Sequence, residues 1–236
     1  MISIEVTTTA MCRPEILDRT YASFHKNLKG VDWENSTCHI NVDPLPEGKA
    51  QVDVLSVVGK YFGHWNIHVP KQANFPAAYK WLWKQPENEW FLNLEDDWKL
   101  TERVLVDDVI RQFDNQNVNA VALRAYSYAY RTIPLSPSFY RTSFFKDVSA
   151  RLNIVNNPET QLHDFINKYT KKVQCVSPIY RRHHMVKAYP YGINRIIVND
   201  IGREWMEKTE YTRPQLLPDN DSRKVKKCNF TKWVKK

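Results

Sequence analysis

No apolar run in this chain of 236 residues is long enough to cross a bilayer. The opening Met1-Ile2-Ser3-Ile4-Glu5-Val6 has neither a basic start nor the long apolar stretch of a secretion signal. A cytoplasmic protein is therefore expected. The four cysteines, Cys12, Cys38, Cys175 and Cys228, contain no C-x-x-C pair. Neither a zinc site nor a disulfide framework is indicated, and a reducing compartment is the simplest setting. No internal repeat and no second cluster of acids is present. Acids are also missing from residues 222–236, which hold Arg223, Lys224, Lys226, Lys227, Lys232, Lys235 and Lys236. The formal charge is +8, and these seven cations account for all but one of it. The body, residues 1–221, is thus a near-neutral domain, followed by a basic tail over 222–236. Phe230 and Trp233 interleave with the tail's cations, a pattern that grips polyanions or simply remains solvated.

What is present is aromatic side chains, eight Trp, twelve Tyr and ten Phe, which fill cores and also stack on sugars and bases. The most informative stretch is Trp90-Phe91-Leu92-Asn93-Leu94-Glu95-Asp96-Asp97-Trp98. An apolar run ends in three consecutive carboxylates. Such acids repel one another and need exposure or a cation to stay charged. An oxygen-rich group of this kind suits Mg²⁺ or Mn²⁺ and, through the metal, a phosphate. The plainer alternative is a solvated acidic turn.

Hydrophobic periodicity predicts strands over residues 2–8, 38–43, 65–69, 89–94, 118–123 and 193–198, with extended pieces at 135–140 and 173–176. Helices are predicted over 14–28, 52–61, 74–84, 103–116, 142–152 and 158–172, and a short one follows the turn at 201–203. Pro14 and Pro158 each occupy a plausible first helical position. The Val content of 52–61 leaves a strand possible there. Alternation of strand and helix argues for an α/β domain with a mostly parallel central sheet flanked by helices. Ligands of such sheets sit at the carboxyl ends of strands. The polar residues expected there are Thr7, Thr8, Thr9, Asp43 and the three acids.

A strand running into Thr7-Thr8-Thr9, then Arg13-Pro14 and a helix reading R-P-x-x-L-x-R-T-x-x-S-F, resembles nucleotide-sugar glycosyltransferases of the GT-A fold. Asp43 at the second strand end, Asn74 with Ala77 and Ala78 at a helix start, and Phe-Leu-Asn-Leu-Glu-Asp-Asp-Trp fit the same scheme. The resemblance covers residues 1–100 well. Over 101–205 it rests on Pro137-Ser138-Phe139-Tyr140-Arg141-Thr142 and Asn157-Pro158-Glu159.

The resemblance makes the triplet the family's D-x-D element and implies Mn²⁺ or Mg²⁺ with a nucleotide-sugar, UDP-sugar first, as co-substrate. Glu95 replaces the first Asp and is longer by one methylene, so Asp97 is the safer metal ligand beside Glu95, with Asp96 in the same cluster. Thr8, Thr9, Arg13, Asn74 and Ala77 would line the donor pocket. Asp43 would accept a hydrogen bond from base or ribose. Ordinary alternatives stand beside these: strand-end polarity for the threonines, an Asx turn before Pro44 for Asp43, an N-cap for Asn74. Glu159 in a first helical turn is the expected general base, with Asp164 in reserve. Its alternative is a helix-dipole acid. His184, beside His183 and after Arg181-Arg182, would complete the metal site. Arg203 would meet the diphosphate. Both lie in stretches that also read as basic surface.

The acceptor stays open. The basic aromatic tail suits a hydroxymethylated base in DNA, duplex or single-stranded, the substrate of small bacteriophage glycosyltransferases that act in the host cytoplasm. A cell-surface or lipid-linked glycan is the second possibility. From other classes come a non-catalytic nucleic-acid-binding protein and a two-metal nuclease. The nuclease would need more converging acids than the sequence shows.

Overall fold

A computed structural model describes residues 1–45, 51–116, 118–123, 135–162, 174–176, 197–208, 211–212 and 234–235. Its strands are β1 (Glu5–Met11), β2 (Leu28–Lys29), β3 (Thr37–Asp43), β4 (His64–His68), β5 (Trp90–Glu95), β6 (Trp98–Leu100) and β7 (Val104–Leu105). They continue with β8 (Val118–Ala122), β9 (Ser138–Arg141), β10 (Gln174–Val176), β11 (Val198–Asp200), β12 (Tyr211–Thr212) and β13 (Val234–Lys235). The helices are α1 (Pro14–Asn27), α2 (Gln51–Tyr61), α3 (Phe75–Leu82), α4 (Val106–Ile110) and α5 (Thr142–Arg151). A helical turn over 158–162, α6, and then α7 (Gly202–Lys208) follow.

Seven strands form the central sheet in the order β10-β8-β9-β5-β1-β3-β4. Neighbours run parallel except at β9, which is antiparallel to both β5 and β8. This is the mostly parallel α/β architecture of GT-A-like folds. Side chains alternate across each strand, and the two faces collect different cores. Val6, Ile40, Leu92, Leu94, Val121 and Phe139 meet Leu17, Tyr21 and Phe24 of α1 and Val54 and Val58 of α2. Phe91, Ala120 and Tyr140 meet Tyr79 and Leu82 of α3, Trp83 at its C-terminal cap, and Phe145 and Val148 of α5.

The second face is apolar only under β5, β9 and β8. Across β5, β1, β3 and β4 its register rows are polar: Asn93, Thr7, His39 and Asn66 in one, Glu95, Thr9, Asn41 and His68 in the next. Burying such groups is tolerable only when they are paired. Thr7 Oγ1 donates to Asn93 Oδ1 at 3.2 Å, and Trp83 Nε1 donates to the same oxygen at 3.0 Å. Asn93 Nδ2 returns a bond to the Leu135 carbonyl at 2.9 Å. At the other strand end Glu5 accepts from the Glu87 and Asn88 amides and lies 3.0 Å from His39 Nε2. Burial works to raise the Glu5 pKa, but His39 and those two amides outweigh it, and the carboxyl sits below its ordinary range.

Three expectations are revised. The first strand starts and ends three residues later than the predicted 2–8, so Thr7, Thr8 and Thr9 lie within it rather than at its end. The predicted helix 103–116 is broken into β7, α4 and a 3₁₀ turn over Arg111–Asp114. Val104 pairs with Leu28 of β2, and the Arg141 guanidinium takes the Phe113 carbonyl at 2.5 Å. Tertiary contacts at both ends therefore override the helical period. The extended piece near 135–140 becomes β9, buried in mid-sheet, with Pro137 just outside it where no ladder donor is needed. The predicted helix over 158–172 is helical at 158–162, and its remainder lies outside the described residues.

Candidate functional site

The three acids at the end of β5 point three ways. Asp96 turns inward and is 3% exposed. Its Oδ2 accepts from the Met11 amide at 3.0 Å and from Arg13 Nε at 2.8 Å, and its Oδ1 from Arg13 Nη2 at 2.5 Å. Its backbone is held as well: the Asp96 amide donates to the Thr9 carbonyl at 3.0 Å, and Thr20 Oγ1 donates to the Asp96 carbonyl at 2.6 Å. A bidentate arginine–carboxylate pair of this kind is short, directional and charge-assisted. Burial alone would lower the Arg13 pKa, but the Asp96 and Asp97 charges hold its guanidinium above the ordinary arginine range. Arg13 and Asp96, expected among the cofactor-binding residues, are paired with each other at the rim, and Arg13 reaches Asp97 as well.

Asp97 faces the rim, with a quarter of its side chain exposed. Arg13 Nη2 reaches its Oδ2 at 2.8 Å. A segment far along the chain closes on it. β11 pairs antiparallel with β6, placing Asp200 opposite Trp98, and the Ile201 amide donates to the Asp97 carbonyl at 2.8 Å. Burial, then the Asp96 charge, with Asp200 adding, pushes the Asp97 carboxyl up to about 6, against the downward pull of Arg13. Asp200 itself accepts from the Gly202 amide at 3.0 Å and from Arg203 Nε at 3.2 Å. Arg203, expected on a diphosphate, stands exposed at this edge. Trp205 lies over the Arg13 guanidinium, 5.0 Å from CZ to ring centre.

Glu95 belongs to the polar row on the α3 face, and its Oε2 accepts from Trp98 Nε1 at 2.9 Å. Thr9 is in the same row, 3.5 Å from the Tyr79 hydroxyl. Burial, then the Glu95 charge, with Tyr140 and Glu159 adding, raises the Tyr79 phenol well above its ordinary value. Tyr79 thus stands within electrostatic reach of both Glu95 and Glu159. Glu159 is exposed at the start of α6, its amide capped by Asn157 Oδ1 at 2.8 Å. Asp43 ends β3 and accepts from Asn41 Nδ2 at 2.8 Å, and Asn41 Oδ1 in turn lies 2.7 Å from His68 Nδ1. The His68 ring stacks on Trp81.

Two residues depart from the expected pocket lining. Thr8 is fully buried on the α1 face and accepts from the Tyr21 hydroxyl at 3.0 Å, because strand alternation sends it away from Thr7 and Thr9. Asn74 caps α3, its Oδ1 accepting from the Ala77 amide at 3.0 Å, so Ala77 contributes a backbone donor to the helix start. Asp164 and His184 lie outside the described residues. Sequence reasoning missed Asp200, Gly202, Trp205, Tyr79, Asn41 and His68. Only the Asp200 carboxylate carried a signal, an acid directly before Ile201-Gly202-Arg203.

Among the described residues no three His, Cys, Asp or Glu side chains form a ready-made metal cage. Asp97 and Asp200 supply only oxygen donors, while Glu95 lies on the α3 face, bonded to Trp98 Nε1. Too few of them are present to fill a coordination shell, as suits Mg²⁺ or Mn²⁺ sites completed by phosphate and water. The raised Asp97 pKa comes from burial first and from the Asp96 and Asp200 charges after it, and a cation would offset both. Among the described residues no helix is long and apolar enough to cross a membrane.

No family model and no curated protein matches this chain in sequence. Solved structures match in shape. S. aureus TarS, residues 1–349, aligns at 13% identity with a TM-score of 0.55, over 80% of this chain and 59% of that one. The mannosyltransferase PcManGT from Pyrobaculum calidifontis, solved with GDP-Man and Mn²⁺, aligns at 9% identity with a TM-score of 0.51, over 75% of this chain and 55% of that one. A cytidylyltransferase from Leptospira borgpetersenii is a looser match at 11% identity, TM-score 0.48, over 80% of both chains. This chain therefore spans little more than half of TarS 1–349 and of PcManGT. What it shares with them is the GT-A-like fold.

The raised Asp97 carboxyl has a definite stability signature. A folded-state pKa above the ordinary 3.8 favours the folded state at low pH; that contribution is complete below 3.8 and is lost as pH rises through about 6. Asp97→Asn cannot titrate. Between pH 4 and pH 7 the wild-type protein should lose roughly 1–3 kcal/mol of unfolding free energy relative to Asp97→Asn. Urea titrations of both proteins at a series of pH values measure this. A difference that stays flat, or grows the other way, removes the crowding described for Asp97.

Proposed function

We propose that this chain is a metal-dependent glycosyltransferase that moves a sugar from a nucleotide-sugar, a UDP-sugar first among them, to a hydroxyl acceptor. The observation that carries the reading is Asp97. It is held at the rim of a GT-A-like sheet by Arg13 and Asp200's segment, at the strand ends where such sheets bind ligands. Asp97 and Asp200, with Glu95 adjacent, would hold Mn²⁺ or Mg²⁺. Bound there, the ion would supply Lewis-acid stabilisation of a diphosphate leaving group. A mannosyltransferase with GDP-Man and Mn²⁺ among the fold's neighbours supports that chemistry in kind.

The chain's own residues divide the remaining work. Asp43, oriented by Asn41 and through it by His68, offers a carboxylate acceptor to an N–H or O–H of the base or ribose. Thr9 and Glu95 floor the adjoining row. Arg203, exposed and paired with Asp200, would offer its guanidinium to a diphosphate oxygen. Glu159 takes the acceptor hydroxyl's proton on its carboxylate as the oxygen attacks. Its charge reaches Tyr79, whose hydroxyl lies 3.5 Å from Thr9, which supports this role.

Glu159→Gln should cut sugar transfer by at least about a hundred-fold, the usual contribution of a general base, and leave donor affinity within about two-fold. Asp97→Asn should weaken both UDP–Mn²⁺ binding and turnover. Calorimetry with UDP and Mn²⁺, run beside a donor-consumption assay, separates the two. An Asp97→Asn protein with wild-type turnover ends the metal assignment, and lost UDP binding in Glu159→Gln moves that residue to the donor side.

For the acceptor, the reading rests on the tail over 222–236, which lies largely outside the described residues. Its seven cations and two aromatics favour DNA bearing a hydroxymethylated base over a glycan. Each phosphate contact removed lowers the slope of log affinity against log salt by about 0.9. Deleting the tail should therefore flatten that slope by roughly three units if half its cations touch phosphate. Fluorescence anisotropy on labelled duplex across a salt series decides it. Equal slopes for full-length and truncated protein turn the assignment to a glycan acceptor.

A further inference from the structure

We infer that Gly202 is a positioning residue for Asp97: its missing side chain is what lets the Asp97 carboxylate keep its place between Arg13 and Asp200. The inference rests on the metal-site reading above for its consequence, and on packing alone for its geometry.

A Cβ built on Gly202 would stand 2.8 Å from Asp97 Cγ and 2.9 Å from Asp97 Cβ, and closer still to Oδ2. Carbon atoms do not approach so closely, so any other residue here must displace one of the two. The Gly202 φ lies outside the left-handed region. Backbone conformation therefore does not demand glycine at this position; space does. Nor can the backbone retreat cheaply. The Ile201 amide is bonded to the Asp97 carbonyl, the Gly202 amide to Asp200 Oδ1, and β11 is paired with β6 on the strand that starts beside Asp97.

The Asp97 side chain is equally confined. Arg13 Nη2 holds Oδ2 from one side, and Arg13 is itself immobilised by Asp96 and covered by Trp205. With the backbones fixed on both sides, a methyl group at 202 would rotate the carboxylate away from Arg13 and from the Asp200 side of the rim. Close packing leaves no slack to absorb it. Gly202 thus belongs to the support of the proposed ion site, although it offers no donor to an ion.

A double-mutant cycle tests the coupling without any ligand. Gly202→Ala should lower the unfolding temperature by about 3–9 °C where Asp97 is present. In an Asp97→Gly background, where Cβ, Cγ and Oδ2 are all gone, the same change should cost no more than about one degree. Equal losses in both backgrounds overturn the inference. A Gly202→Ala chain that folds only with Asp97→Gly supports it, and one that folds in neither background overturns it. Calorimetry with Mn²⁺ alone reads the consequence: Gly202→Ala should weaken binding at least about ten-fold, as loss of a supporting contact does. Wild-type protein that binds Mn²⁺ no better than Gly202→Ala overturns the positioning role. Wild-type protein that takes up no Mn²⁺ at all ends the metal reading instead, and the thermal cycle alone then decides the positioning.

Discussion

Everything at the carboxyl rim of this sheet hangs on the Arg13–Asp96 pair. Both partners are nearly dry. A lone buried carboxylate or guanidinium is so costly that each would be expelled without the other. Together they tie the turn after β1 to the turn after β5, and two backbone contacts, Asp96 to Thr9 and Thr20 to Asp96, lock the same junction. The neighbouring Asp97 inherits its position from this lock. One guanidinium faces two carboxylates there, so negative charge is left over at the surface, where Asp200 adds more.

The sheet's second face follows a related logic. A parallel sheet covered on both sides usually carries apolar residues throughout. Here β1, β3 and β4 place threonine, histidine and asparagine under α3 instead, and the groups pair laterally across the strands. The row of Asn93, Thr7, His39 and Asn66 is closed over by Trp83, whose indole donates into it. The next row, nearer the strand ends, opens toward Asp43 and Glu95. Polarity that is structural in one row becomes available for recognition in the next, one pleat away.

Much of this was legible in the amino-acid order. The alternation of strands and helices, the prolines opening α1 and α6, and an acid cluster at a strand end are local signals that tertiary packing reinforced. The strand ends were less legible. Thr7-Thr8-Thr9 reads as a polar terminus, yet threonine is a good strand former, and β1 simply continues to Met11. Which acid of the triplet turns inward was also hidden. Asp96 is chosen because Arg13, far away in sequence, waits on that side. Gly202 and Trp205 were invisible for the same reason, and Asp200 showed only as an acid before a turn: their significance lies in contact with Asp97 and Arg13, and no periodicity within their own segment records it.

The return of the chain at β11 changes what the triplet is. With only the β5 turn, Asp97 would keep Arg13 as a partner but lose the Ile201 amide on its carbonyl and the neighbouring Asp200 charge. The Val198–Asp200 strand and the Gly202 contact turn it into a crowded carboxylate of fixed orientation, held from below by Arg13 and from the side by backbone. Crowding of like charges costs stability. A fold that maintains it against that cost keeps a partly exposed carboxylate at the end of β5. The opposing requirement is that the site not collapse onto itself. Arg13 meets it by satisfying Asp96 fully and Asp97 only in part, so that one carboxylate is spent on the fold and the other remains poised at the surface.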